Sequence, residues 1–307
     1  MRIGSAFSGI GCFEYGVQQV LPASSVQWQI EIEEWPRRVL AKHWPDADRS
    51  VIDIRDVAGI SKLEPIDLLL AGWPCTDISR AGKMEGLDGA RSGLWYELLN
   101  NIICKIRPPF IIMENVDAVR TIHGGSVYGE VLNGLAKAGY NVEWHSLSAA
   151  AVGAPHKRAR WWAICWRQDL TPKDVANTKS LWPRESQHCG KEKRVEGSNA
   201  AQPDSSSTDV ANATGIGVEG HRRIGQQVTR SQVQKGISGC NSARSGASHW
   251  HTEPDLGRLV TRPATRLSRY EHKQALKSLG NGIVPQCAMV IAMRLVEIVE
   301  ELSHADL

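Results

Sequence analysis

The sequence predicts an α/β fold, a doubly wound sheet with helices on both faces, interrupted late by a smaller polar module. Three observations carry this. Short apolar runs alternate with helical stretches through residues 1–165. The alternation then dissolves, and residues 171–249 are rich in Ser, Gly, Asn, Gln and Arg. A strongly apolar helical pattern returns over 284–302, with Val290, Met293, Val296 and Ile298 among its apolar positions. Strand–helix alternation favours a sheet covered on both faces. The expected organisation is a main domain over 1–165, an inserted region over 166–270, and a segment over 271–307 that completes the main domain.

Strands are expected over 2–7, 26–31, 66–72, 110–114, 142–147 and 161–166, each a short β-rich run. A further strand is expected just before Asp53, which would make the 66–72 run the fourth along the chain. Helices are expected over 13–21, 35–43, 92–106 and 127–138, where apolar residues recur at helical spacing. Ser92 is placed to cap one of them, and Gly139 to stop another.

Composition narrows the function classes. The chain has 307 residues, 42% hydrophobic and 22% charged, as in an ordinary soluble protein. Its apolar runs, such as 66–72 and 149–154, are far shorter than a membrane span, and the start lacks the pattern of a secretory signal. Seven cysteines, an odd number with no Cys-x-x-Cys, give neither a zinc cluster nor a disulfide framework. A reducing, cytoplasmic-type compartment is expected. Charge is uneven: residues 166–270 hold 16 Lys/Arg against 10 Asp/Glu, whereas 1–165 hold 17 against 18. A basic insert suits a polyanion, although a solvated basic surface has the same composition.

The first strand runs into Phe7-Ser8-Gly9-Ile10-Gly11-Cys12. Gly9 and Gly11 let the backbone turn sharply and present helix N–H groups to a ligand. Glu31, at the end of the second strand, can accept two ribose hydroxyls, and Asp53-Ile54 can bind and cover an adenine. Together these suit an adenosine-containing cofactor. A dinucleotide fingerprint would need a third glycine where Glu14 stands, which disfavours hydride transfer.

Pro74-Cys75 follows one strand, Glu114-Asn115-Val116 ends the next, and Arg158-x-Arg160 opens another. Taken singly, a buried inert thiol, an ordinary ion pair and surface charges explain each. Taken in order at successive strand ends, they suit activation of carbon 5 of cytosine. A thiolate adds at carbon 6 while a carboxylic acid protonates nitrogen 3, and a guanidinium holds the ring carbonyl. The Cys pKa must then fall below about 8.5, and burial must raise the Glu.

On these motifs the chain resembles the cytosine-5 DNA methyltransferases of bacteria and their phages. Leu279-Gly280-Asn281-Gly282-Ile283-Val284-Pro285 is similar to the family's last motif. The resemblance covers about 1–165 and 275–307. It implies a Rossmann-like S-adenosylmethionine-dependent methyltransferase sheet, with S-adenosyl-L-methionine as methyl donor near Phe7, Glu31, Asp53, Ile54 and Asn281, and no metal. It implies Cys75 as covalent nucleophile, Glu114 as the acid at nitrogen 3, Arg160 at the ring carbonyl, and Arg158 supporting the base or the backbone. Residues 76–94 are similar to the mobile loop that closes over a flipped cytosine. The region 166–270 corresponds to target recognition, with Arg184, Arg194, Arg222, Arg223, Arg230 and Arg244 as candidate DNA contacts. Double-stranded DNA is the implied partner, with the enzyme acting as a monomer, alone or beside a cognate restriction nuclease, in a bacterial cytoplasm and with a bacterial or phage gene. Four departures stand out: Thr76 and His156 where Gln is common, Cys12 for a glycine, and Gly282 for an alanine. None removes a reacting group. Methylation of cytosine in RNA and a silent DNA-binding relative are the alternative readings.

Overall fold

A computed structural model describes residues 1–74, 94–170 and 269–304. Cys75, Ser92 and the recognition region from residue 171 to 268 lie outside the described residues.

The described chain forms six strands: β1 (Arg2–Ala6), β2 (Ser25–Ile30), β3 (Leu68–Ala71), β4 (Phe110–Val116), β5 (Tyr140–Ser148) and β6 (Ala159–Arg167). They lie in one sheet in the order β2-β1-β3-β4-β6-β5. The first four in that order are parallel, and β6 runs antiparallel to both its neighbours. The sheet is the predicted one, with one difference. The strand expected before Asp53 is reduced to a single bridge between Trp28 and Asp48. Val51 and Ile52, the apolar pair just before Asp53, pair with no strand; Val51 is packed in the core with Ile54 and Ile60.

The helices are α1 (Cys12–Val20), α2 (Glu34–His43), α3 (Val57–Ile60), α4 (Leu94–Glu97), α5 (Cys104–Ile106), α6 (Ser126–Lys137), α7 (Arg269–Asn281) and α8 (Pro285–His304). Between α4 and α5 the chain does not follow the expected α-helix: Leu98–Ile103 winds as a π-helix. Gly139 follows α6 at φ 83°, the left-handed conformation that ends a helix.

Side chains alternate across the central strands, so both faces are buried. Leu68, Leu70, Phe110, Ile112, Trp162 and Ile164 pack on one side with α1 and α8. Leu69, Ile111, Met113, Trp161 and Cys165 pack on the other with Trp28, Trp73, Trp95 and α6. Period-2 alternation with apolar residues on both sides is what a helix-covered sheet requires. By length and hydropathy alone, Tyr270–His304 could cross a membrane, contrary to the expectation that no stretch is long enough. Its apolar character has a core explanation: Cys287, Ile291, Leu295 and Ile298 of α8 are buried against the sheet.

Candidate active site

A parallel sheet leaves loops of common direction at the carboxyl ends of its strands, and the cleft forms there. It has a volume of about 740 Å³. Phe7, Gly9, Glu31, Asp53, Ile54, Glu114, Arg158, Arg160 and Asn281 all line it. Pro74, the residue before Cys75, lines it too.

The turn after β1 forms one end. Phe7 has φ 60° and Gly9 φ 55°, so the chain leaves the strand through two left-handed residues. For Phe7 that conformation is strained by about 1 kcal/mol or more. The turn is held from β2, where Ile30 O accepts from Ser8 N at 3.2 Å. Glu31 Oε2 accepts from Gly9 N at 2.8 Å, while its Oε1 accepts from Glu33 N at 2.9 Å. Each carboxylate oxygen therefore keeps acceptor capacity toward the cleft. Gly11 is placed differently from the expectation. It does not line the cleft; at φ 86° it lies under the Trp44 ring, where a Cβ would overlap the indole. Its glycine is required by helix entry and packing.

Glu14, which the dinucleotide pattern would make glycine, is fully buried in the first turn of α1. It accepts from Gln29 Nε2 at 3.1 Å, and burial raises its pKa above the ordinary carboxylate range.

Asp53 sits on the far wall, its carboxylate accepting from Arg55 Nε at 2.9 Å and Arg55 N at 3.0 Å. Arg55 lowers its pKa. Ile54 is 3% exposed, so it forms a fixed apolar surface.

The other end joins β4 to β6. Val116 pairs with Arg160 and Glu114 with Trp162, which puts Glu114 and Arg160 on one face as diagonal neighbours. Arg160 Nε reaches Glu114 Oε1 at 2.9 Å. Burial outweighs the two nearby guanidinium groups of Arg160 and Arg158 and pushes the Glu114 carboxyl up to about 7. A carboxyl near 7 can hold or give a proton at neutral pH. Arg158 uses its guanidinium on the protein itself, donating to Gly280 O at 2.8 Å and Gly282 O at 2.9 Å. This holds Asn281 beside the Phe7–Gly9 turn, with which it lines an adjoining small cavity of about 70 Å³.

A model of the C-5 cytosine-specific DNA methylases matches residues 1–251. The chain belongs to that family. The type II methyltransferase M2.BsuMI of Bacillus subtilis is 34% identical over 163 residues, covering 52% of this chain and 40% of the relative. M.HindV of Haemophilus influenzae is 35% identical over 168 residues, 52% of this chain and 51% of its own. The orphan methyltransferase M.SPRI of Bacillus phage SPR is 27% identical over 171 residues, 55% of this chain and 38% of its own. The chain thus matches about half the length of these methylases or less. Among solved structures, the S. pombe Dnmt2 methyltransferase superposes with TM-score 0.43 and 18% identity, covering 62% of this chain and 57% of that one.

Two further residues at the cleft carry no role from the sequence alone. Asn115 donates from Nδ2 to Trp73 O at 3.4 Å and accepts from Val116 N at 2.7 Å, tying β4 to the residues before Cys75. Lys277 of α7 pairs with Glu33 at 2.7 Å across the cleft rim. Asn115 stood inside a recognised motif; Lys277 left no signal beyond an ordinary helical lysine.

Proposed function

We propose that the chain methylates carbon 5 of a flipped cytosine in a specific double-stranded DNA sequence, with S-adenosyl-L-methionine as donor. The observation that carries this is the Glu114–Arg160 pair: a buried carboxyl raised to about 7, in one cleft with Glu31, Asp53 and Ile54. Those residues fit an adenosine-type cofactor. Glu31 keeps two acceptor oxygens for the ribose, Asp53 offers a carboxylate for the amino group, and Ile54 an apolar face for the ring. The cofactor, when bound, supplies an electrophilic methyl group.

The chain's own residues do the rest. Cys75 adds as thiolate to carbon 6 of the cytosine. Glu114 gives its proton to nitrogen 3, so the ring electrons move to carbon 5 without charge building on the base. Arg160 orients the ring carbonyl and stabilises Glu114 once it is ionised. After carbon 5 has taken the methyl group, its proton leaves to a base, the thiolate is expelled, and Glu114 takes back the proton from nitrogen 3. Arg158 is a positioning residue, holding Asn281 through the backbone of its neighbours. DNA as substrate, residues 166–270 as its reader, and a bacterial or phage setting all rest on family membership and the relatives' names.

Expression in a methylation-free bacterium, followed by sequencing that detects 5-methylcytosine, tests the proposal. Methylation at a short recurring motif, lost with Cys75→Ala, is expected. Unmethylated DNA from a soluble, cofactor-binding protein would overturn it.

A further inference from the structure

The wall that carries Asp53 and Ile54 belongs to no strand or helix. Its backbone is closed by local turns, with Asp53 O accepting from Asp56 N at 3.0 Å and Arg55 O from Val57 N at 2.9 Å. Ile54 is buried in this otherwise exposed loop, so its carbonyl needs a partner. Ile54 O finds one in a side chain 47 residues away: Asn101 Nδ2 donates to it at 3.2 Å. The same amide nitrogen donates to Glu97 Oε2 at 2.7 Å, so both its hydrogens are used. Asn101 is only 7% exposed, among Leu98, Ile102 and Ile103.

The helix is irregular at this position. Asn101 lies within the π-helical stretch Leu98–Ile103, and three successive residues, 101 to 103, are buried. A wide turn is uncommon and recurs where a helix must redirect a side chain. Here it brings an amide inside with two apolar neighbours. The helix thus reaches Ile54 through a direct bond, and Ile54 opens the turn next to Asp53.

We propose that Asn101 is a positioning residue for the adenosine wall, held inward by the π-turn so that its amide fixes Ile54 and the turn presenting Asp53. The proposal rests on the reading of Asp53 and Ile54 as cofactor residues. It acts before chemistry, so loss of Asn101 weakens cofactor binding and leaves the saturated rate nearly alone.

The test measures S-adenosylhomocysteine binding by calorimetry, and steady-state kinetics with S-adenosylmethionine, on the full chain. Variants are Asn101→Ala, Asn101→Asp, Glu97→Gln and Asp53→Ala. Asn101→Ala is expected to raise the dissociation constant and the cofactor KM tenfold or more, with kcat within threefold of wild type. Glu97→Gln keeps an acceptor for Asn101 and should change affinity less than threefold. Asn101→Asp lacks the donor when ionised and regains one when protonated, so its affinity should recover toward pH 5. Should the alanine variant fail to fold, this pH profile decides alone. Weak binding by Asp53→Ala with wild-type binding by Asn101→Ala, or a pH-independent Asn101→Asp, overturns the proposal and leaves the cofactor reading standing. Absence of binding by the wild-type chain overturns both.

Discussion

Replacing Glu114 with Gln separates the carboxyl's role in stability from its role in chemistry. An ordinary glutamate titrates at 4.5, whereas burial holds this one at about 7 despite Arg160 and Arg158. Between those values the folded protein keeps a proton that the unfolded chain has released. The carboxyl's stabilising contribution is therefore complete below pH 4.5, falls as pH rises, and is lost above 7. At about 1.4 kcal/mol per pH unit the loss is about 3 kcal/mol. Glutamine keeps an oxygen for Arg160 Nε but cannot ionise. Urea unfolding of both proteins from pH 4.5 to 8.5 is expected to show wild type losing about 3 kcal/mol relative to Glu114→Gln. Methyl transfer by the variant is expected to fall on the order of 10²-fold or more, as for loss of a general acid. A stability difference that stays within about 1 kcal/mol across this range, or moves the other way, would refute the raised carboxyl. Inactivity alone would not rescue it, because many substitutions at a cleft abolish turnover.

Two further perturbations probe how the site is held. Arg158→Lys leaves one ammonium to serve two carbonyls that the planar guanidinium meets together, at Gly280 and Gly282. Cofactor KM is expected to rise about tenfold, with little gain over Arg158→Ala, since a charged hydrogen bond to a carbonyl is worth about 1.5–3 kcal/mol; steady-state kinetics check this. Gly11→Ala forces a Cβ into the Trp44 ring at a left-handed φ of 86°. Strain and overpacking together predict a loss of about 3 kcal/mol in urea unfolding, with cofactor affinity changed through the turn rather than by contact.

The sheet was legible because its strands are short apolar runs buried on both faces, and such runs stand out between polar turns. The edge strand expected before Asp53 is reduced to one bridge, Trp28 to Asp48, with Val51 packed into the core rather than paired. The helix over 92–106 had the right apolar content, but nothing in its spacing reveals a π-turn, since one extra residue per turn shifts phase only locally. Glu14, which disfavours a dinucleotide fingerprint, is in the structure a buried partner of Gln29 in the first turn of α1, a role with no signature in the sequence, and Gly11 lies under Trp44.

Residues that react and residues that position are unequally visible in a sequence, for a physical reason. Glu114 and Arg160 must sit where strands end at one sheet edge, so topology ties them to short motifs with restricted neighbours. Arg158 acts on carbonyls 122 and 124 residues away, and Asn101 on one 47 away. A backbone carbonyl carries no residue identity, and any donor of suitable length from any element could meet it. The constraint on such a residue is therefore three-dimensional only, and its sequence signature is an unremarkable polar letter. What exposes it is burial: a polar side chain inside an apolar helix face has left water, and it stays folded there only with a partner. Asn101 meets that condition between Leu98 and Ile102, and the partner it found is the wall of the cleft.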